Sequence, residues 1–173
     1  MTDYGLVAKQ IVSLAEVDAH WLPVLSNAAA LLWDALDDIN WVGFYLADPV
    51  TVMGAEPDAD PSAHEPCIPE LRLGPFQGKV ACVRIPFGRG VCGTAAATRT
   101  SQLIEDVHQF PGHIACDSAS NSEVVVPIVK DDQVVGVLDI DSPSVARFTQ
   151  EDLAGLEQVV KVLESCANFS DFC

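Results

Sequence analysis

Apolar residues near the start of the chain recur at helical intervals. Val7, Ile11 and Leu14 fall at i, i+4 and i+7 behind a capping residue at Thr2 or Asp3, which predicts an amphipathic helix. Leu22, Leu25, Ala29, Leu32 and Leu36 make a second helical stripe, with Pro23 tolerated in its first turn. Residues 40–46 then turn aromatic and β-branched, which predicts a strand. Shorter strands are expected over 71–73, 80–85 and 101–104. Between the last two, a glycine-rich turn over 88–93 leads into a short helix through residue 98. Residues 105–121 are polar and irregular. Residues 123–129 and 134–141 pair as a hairpin about a turn over 130–133, and Thr149 with Asp152 resembles a capping box opening a last helix. Leu153, Leu156, Val160 and Leu163 form that helix's apolar stripe. Helices at both ends with hairpin-linked strands between them predict an α+β domain built on a central antiparallel sheet.

One stretch breaks the pattern. Residues 47–70 hold five prolines (Pro49, Pro57, Pro61, Pro66, Pro69) and six acids (Asp48, Glu56, Asp58, Asp60, Glu65, Glu70). Such a segment supports neither a regular helix nor a central strand, and it reads as an acidic, proline-rich loop insertion with Cys67 exposed inside it. At 173 residues the chain is expected to be one domain, residues 1–173, carrying that loop.

Charge narrows the partners. A formal net charge of −16 opposes binding to nucleic acid or to an anionic membrane, because both are polyanions. No apolar run is long enough to span a bilayer, and the N-terminus lacks a basic segment followed by an apolar one, so the expectation is a cytoplasmic protein. In that reducing setting the six cysteines (Cys67, Cys82, Cys92, Cys116, Cys166, Cys173) do not read as a structural disulfide framework. Without a C-x-x-C pair they suggest neither a zinc ribbon nor a thioredoxin motif.

Candidate chemistry collects in the second half. Asp139 and Asp141 share a strand face, since side chains alternate with a period of two. With the turn centred near 131–132, Glu123 on the partner strand is expected close to residue 140. Three neighbouring carboxyl groups raise at least one pKa. That is costly unless they hold a cation or an ammonium group, or unless one stays protonated as an acid. Cys82 is read on a strand, where a small core residue is the plainer account, Cys92 in the glycine-rich turn, and Cys116 in the irregular loop, seven residues before Glu123. His108, His113 and Cys116 could supply metal donors, but their spacing fits no specific template, and no metal is expected.

Four stretches together are specific: INWVGFYL (39–46), LGPFQGKVACVRIPFGRGVCGTA (73–95), IEDVHQFPGHIACDSASNSEVVVPI (104–128) and GVLDIDS (136–142). They resemble the free methionine-(R)-sulfoxide reductases, single-domain GAF-fold enzymes, across nearly the whole chain outside 47–70. The resemblance implies that Cys116 is the nucleophile that becomes a sulfenic acid and that Cys82 resolves it as a disulfide. It makes Cys92 a third cysteine able to join the exchange. It places Glu123, Asp139 and Asp141 on the substrate's ammonium group and sulfoxide oxygen, and Trp41 against the substrate methyl group. It implies reduction of free methionine-R-sulfoxide without metal or nucleotide cofactor, with recycling by an external thioredoxin/NADPH system. A homodimer is expected by analogy with GAF proteins. The alternative is a GAF sensor module that binds a small ligand without turning it over.

Overall fold

The computed structural model describes residues 2–48, 69–112 and 118–170. Two helices come first, α1 (Tyr4–Ala15) and α2 (Trp21–Ala35). Asp3 caps α1, its carboxylate accepting from the Leu6 N–H at 2.9 Å. His20 caps α2, Nδ1 accepting from Leu22 N–H at 3.1 Å. Both supply acceptors for helix-end amides that have no intrahelical partner. The stripes predicted for these helices need correction at one position each. Leu14 and Leu22 stay exposed, while Ala15 and Val24 are buried. The 3.6-residue period carries the buried face of α1 from Val7 through Ile11 to Ala15, so the i+7 position has rotated out.

Six strands follow in one antiparallel sheet: β1 (Trp41–Asp48), β2 (Glu70–Gly78), β3 (Arg84–Pro86), β4 (Gln102–Ile104), β5 (Ser122–Lys130) and β6 (Gln133–Ser142). The spatial order is β3-β2-β1-β6-β5-β4. The α+β expectation therefore holds, but several boundaries move. The first of the two short strands runs to Gly78, because a bulge sets Gly74 and Pro75 opposite the single residue Phe44 and so accommodates a proline without an N–H. The second starts at Arg84, which leaves Cys82 in the connection rather than on a strand. The predicted 47–70 loop is shorter at both ends, since Ala47 pairs with Leu71 and Asp48 with Glu70. Cys67 lies outside the described residues.

Helix α3 (Gly90–Thr98) packs on one face of the sheet. Helices α1, α2 and α4 (Gln150–Cys166) pack on the other. The capping box of α4 is present, with Asp152 N–H donating to Thr149 Oγ1 and Thr149 N–H to Asp152 Oδ2. Tyr4 Oη donates to Asp152 Oδ1 at 2.6 Å, which ties α1 to that same helix start. Even-numbered residues of the three central strands (Val42, Phe44, Leu46, Val124, Val126, Ile128, Leu138, Ile140) form the core under α1, α2 and α4. Odd-numbered ones (Trp41, Tyr45, Val125, Val137) face α3. No helix among the described residues is long and apolar enough to cross a membrane.

Candidate active site

The site is built on the odd-numbered face, and a single extra residue puts it there. The hairpin turn is Asp131-Asp132, both at positive φ (50° and 62°), the backbone of a tight two-residue hairpin. Pairing starts as Lys130↔Gln133 and Val129↔Val134. Continued unchanged, it would set Glu123 opposite residue 140, as the sequence suggested. Instead the register shifts between Ile128 and Val129, and Ile128 pairs with Gly136. Glu123 consequently faces Asp141, and Val125 faces Asp139.

Opposite Ile140, Glu123 would point to the face under α1, α2 and α4, away from both aspartates. The bulge reverses the alternation, so Val134 and Val137 pack toward α3 while Val135 joins the opposite core. Gly136 fits the constriction because a Cβ there would lie 2.5 Å from the Tyr45 carbonyl oxygen.

β1 completes the floor. Trp41 pairs with Asp141 and Gly43 with Asp139. The Trp41 indole stacks on Phe76 (centroids 5.4 Å apart, 14° between planes) and on Tyr45 (5.7 Å, 24°). Gly43 permits this: a Cβ on it would meet Trp41 Cη2 at 2.5 Å and Phe76 Cβ at 2.4 Å. The indole thus lies across β1 beside Asp139, fixed by its aromatic neighbours. Tyr45 and Phe76 are residues that the sequence reading missed. For Tyr45 a signal was available, because positions 41 and 45 share a strand face by parity.

α3 closes the site from above and brings in Cys92, which lies in the helix's first turn rather than in the preceding loop. Gly93 allows the close approach, since a Cβ on it would be 2.3 Å from the Pro86 carbonyl oxygen. Cys92 Sγ is 3.8 Å from Glu123 Oε1, toward which it donates. One donor atom each from Cys92, Glu123 and Asp139 lies within 4.8 Å of the others, all three side chains buried. They are the group among the described residues whose donors come close enough to share a metal ion.

The electrostatics follow from burial. Glu123 is 5% exposed and Asp139 6%. Burial first, then the Asp139 and Asp141 charges, push the Glu123 carboxyl well above the usual range. Burial also raises Asp139, to about 6, partly offset by its bonds with Cys92 and Glu123. Of the pair, Glu123 is pushed up the more, which makes it the better placed of the two to keep a proton. The Cys92 thiol is pushed up by burial and then by Asp139 and Glu123. Its place at a helix N-terminus favours a thiolate by only about 0.3–1 kcal/mol, too little to overcome two acids in a dry site. Burial and the nearby acids raise the Tyr45 phenol as well.

Two polar atoms here are buried with no hydrogen-bond partner among the described residues: Asp139 Oδ1 and Trp41 Nε1–H. A buried acceptor and a buried donor left unmade are each expensive, about 1–3 kcal/mol, so the site suits a ligand that offers both complements.

Of the cysteines, Cys92 and Cys166 are free thiols, and Cys82 is disulfide-bonded. Its partner is therefore neither of those two. Cys116 and His113 lie outside the described residues. His108 Nε2 hydrogen-bonds Asn121 Oδ1 at 3.0 Å. Asn121 in turn holds Val107 N–H and the Pro143 carbonyl. That engagement gives His108 a structural role just ahead of the acid-bearing strands.

Residues 9–166 match the GAF domain family. The chain is 48% identical to free methionine-R-sulfoxide reductase of Escherichia coli over 98% of its own length and 91% of that protein. Among solved structures, fRMsr of Staphylococcus aureus in complex with substrate superposes with a TM-score of 0.79 at 49% identity, covering 97% of each chain. Free methionine-R-sulfoxide reductase of Neisseria meningitidis in complex with its substrate gives 0.77 at 42% identity, covering 94% of this chain and 86% of that one.

Proposed function

This chain belongs to the GAF-domain family of free methionine-R-sulfoxide reductases, and from that membership and the site's geometry we propose its reaction. It reduces free L-methionine-(R)-sulfoxide to methionine. The Cys116 thiolate attacks the sulfoxide sulfur and the S–O oxygen accepts a proton; the hydroxyl then passes from the substrate sulfur to Cys116 Sγ as the newly formed S–S bond breaks, which releases methionine and leaves Cys116 a sulfenic acid. The Cys82 thiol condenses with that acid, forming a disulfide and releasing water. The sum is one sulfoxide and two thiols giving methionine, one disulfide and water. An external protein dithiol, thioredoxin, resets the pair.

The acids divide this work by protonation state. Glu123, pushed up by its own burial and then by the Asp139 and Asp141 charges, gives the proton to the departing oxygen. Asp139, with Asp141 beside Glu123 on the sheet, holds the substrate ammonium and supplies acceptors for it. Trp41 packs against the methyl group. In a peptide the corresponding nitrogen is an uncharged amide, so Asp139 would keep a buried, unmatched charge, which explains a preference for the free amino acid. Cys92 donates to Glu123 and can enter thiol exchange only after losing its proton. The disulfide at Cys82 supports the recycling half of the scheme.

The observation that carries the reading is the pairing of Asp139 Oδ1 and Trp41 Nε1–H, buried and unmatched on the same face as Glu123. On the same reading the protein works in the cytoplasm as a homodimer, exposed Leu6, Val12 and Leu14 on α1 offering apolar surface to a second copy. The test is a thioredoxin-coupled assay with each methionine sulfoxide epimer, free and peptide-linked. Consumption of NADPH with the free R epimer alone is expected. Binding of that compound with no turnover would instead make the chain a sensor.

A further inference from the structure

Charge is distributed unevenly along this acidic chain. Residues 71–104 contain Arg72, Lys79, Arg84, Arg89 and Arg99, five of the nine cationic side chains, and no Asp or Glu. All 25 acids lie elsewhere. Arg72 pairs with Asp48, Arg84 with Glu70 at 3.1 Å, and Arg99 with Asp132 at 2.9 Å. The acid-free segment runs through the connection between β2 and β3, which carries Cys82. Within it Cys82 is half-buried and disulfide-bonded. On either side, Val80 is 87% and Val83 67% exposed. A β-branched apolar side chain held out in water on each flank of a redox-active sulfur is not needed by the fold, whose core these residues do not join.

We propose that residues 79–89 are the docking surface for an acidic protein dithiol of the thioredoxin class, which attacks the disulfide at Cys82. The inference deepens the reductase reading and rests on it. Val80 and Val83 fill the apolar rim around the partner's nucleophilic cysteine. Lys79 and Arg89, both exposed, face its acidic flanks. The rest of this −16 molecule repels an acidic partner, so the cationic strip orients the encounter as well as attracting it. The partner's thiolate bonds to Cys82 Sγ, and the disulfide breaks with its other cysteine leaving as a thiolate. The partner's second thiol, deprotonated, then attacks its own sulfur in the mixed disulfide. Cys82 is released as a thiol, and the partner departs oxidised by two electrons.

The test needs no sulfoxide. The protein is oxidised with diamide, and the rate constant for its reduction is measured with an acidic thioredoxin and, separately, with dithiothreitol. The pairs Val80→Ser/Val83→Ser and Lys79→Glu/Arg89→Glu should each slow reduction by thioredoxin about tenfold, by loss of apolar contact and of steering respectively. The charge-reversed pair should also lose the wild-type fall in rate with added salt. Reduction by dithiothreitol should stay at the wild-type rate in both. A thioredoxin rate within twofold of wild type in either pair, or a parallel fall with dithiothreitol, overturns the proposal. Because turnover is not measured, failure here and failure of the reductase reading are separate results.

Discussion

The two faces of one sheet are built to opposite standards. Under α1, α2 and α4 the central strands present Val42, Phe44, Val124, Val126, Leu138 and Ile140, each at most 3% exposed and wholly apolar. Their immediate neighbours in sequence, turned to the other face, are Trp41, Tyr45, Glu123, Asp139 and the strand-end Asp141. The first face satisfies every requirement of a core. The second buries two carboxyl groups and a thiol within reach of one another, with an acceptor and a donor left unmatched. The face under α1, α2 and α4 is apolar throughout, whereas the face under α3 mixes an apolar cluster with the buried acids. One alternation of the backbone separates the two, so adjacent residues obey different rules.

Substitutions at neighbouring positions test that contrast. Leu138→Asn places an amide in the fully apolar core and should cost about 3–5 kcal/mol in urea unfolding; a cost under 1 kcal/mol would show that this face tolerates polarity. Glu123→Gln keeps size and hydrogen bonding but removes the transferable proton. It should lower kcat about 10²–10⁴-fold and abolish the alkaline fall of the wild-type rate, which tracks ionisation of Glu123.

Asp139→Asn should go the other way in stability. Its carboxyl is held at about 6 when folded, against the ordinary aspartate value of about 3.9 when unfolded. Between those values the folded chain keeps a proton that the unfolded chain has released, so stability falls as pH rises through this window. Removing the charge should therefore stabilise the protein by up to about 3 kcal/mol at pH 7 and by little at pH 4, while substrate binding weakens. Unfolding curves at the two pH values check the sign. Smallest of the four, Thr149→Ala removes the capping box of α4, away from both faces' chemistry. It should cost about 1 kcal/mol and leave KM unchanged.

Much of the fold can be read from residue patterns, because those patterns are local. The capping box at Thr149, the paired stripes of α2 and α4 and the turn at Asp131-Asp132 each declare themselves within a few residues. The acid cluster was legible from the two-residue period of a strand and the hairpin pairing, whereas Trp41 was singled out only through the stretches that resemble known reductases. What escaped depends on partners distant in sequence. The bulge at Val135-Gly136 is marked only by a glycine in a run of valines, and its effect on Glu123 appears only once the two strands are paired. Cys82 read as a strand residue because Val80-Ala81-Cys82-Val83 has strand composition. Yet β2 extends to Gly78, and the chain must still turn back before pairing resumes at Arg84. Leu14 and Leu22 are apolar at helical spacing and still face solvent, since spacing alone does not say where the buried stripe is centred.

One register shift gathers three acids on a single face and raises the Glu123 carboxyl there, so that it is expected to hold a proton at neutral pH. Difference infrared spectroscopy of wild type against Glu123→Gln, in ¹³C-carboxyl-labelled protein across a pH titration, tests it most directly. A protonated carboxylic acid band present at pH 7 in wild type and missing from the variant is the predicted result. Ionisation of Glu123 near pH 4–5, with no neutral acid left at pH 7, would contradict it.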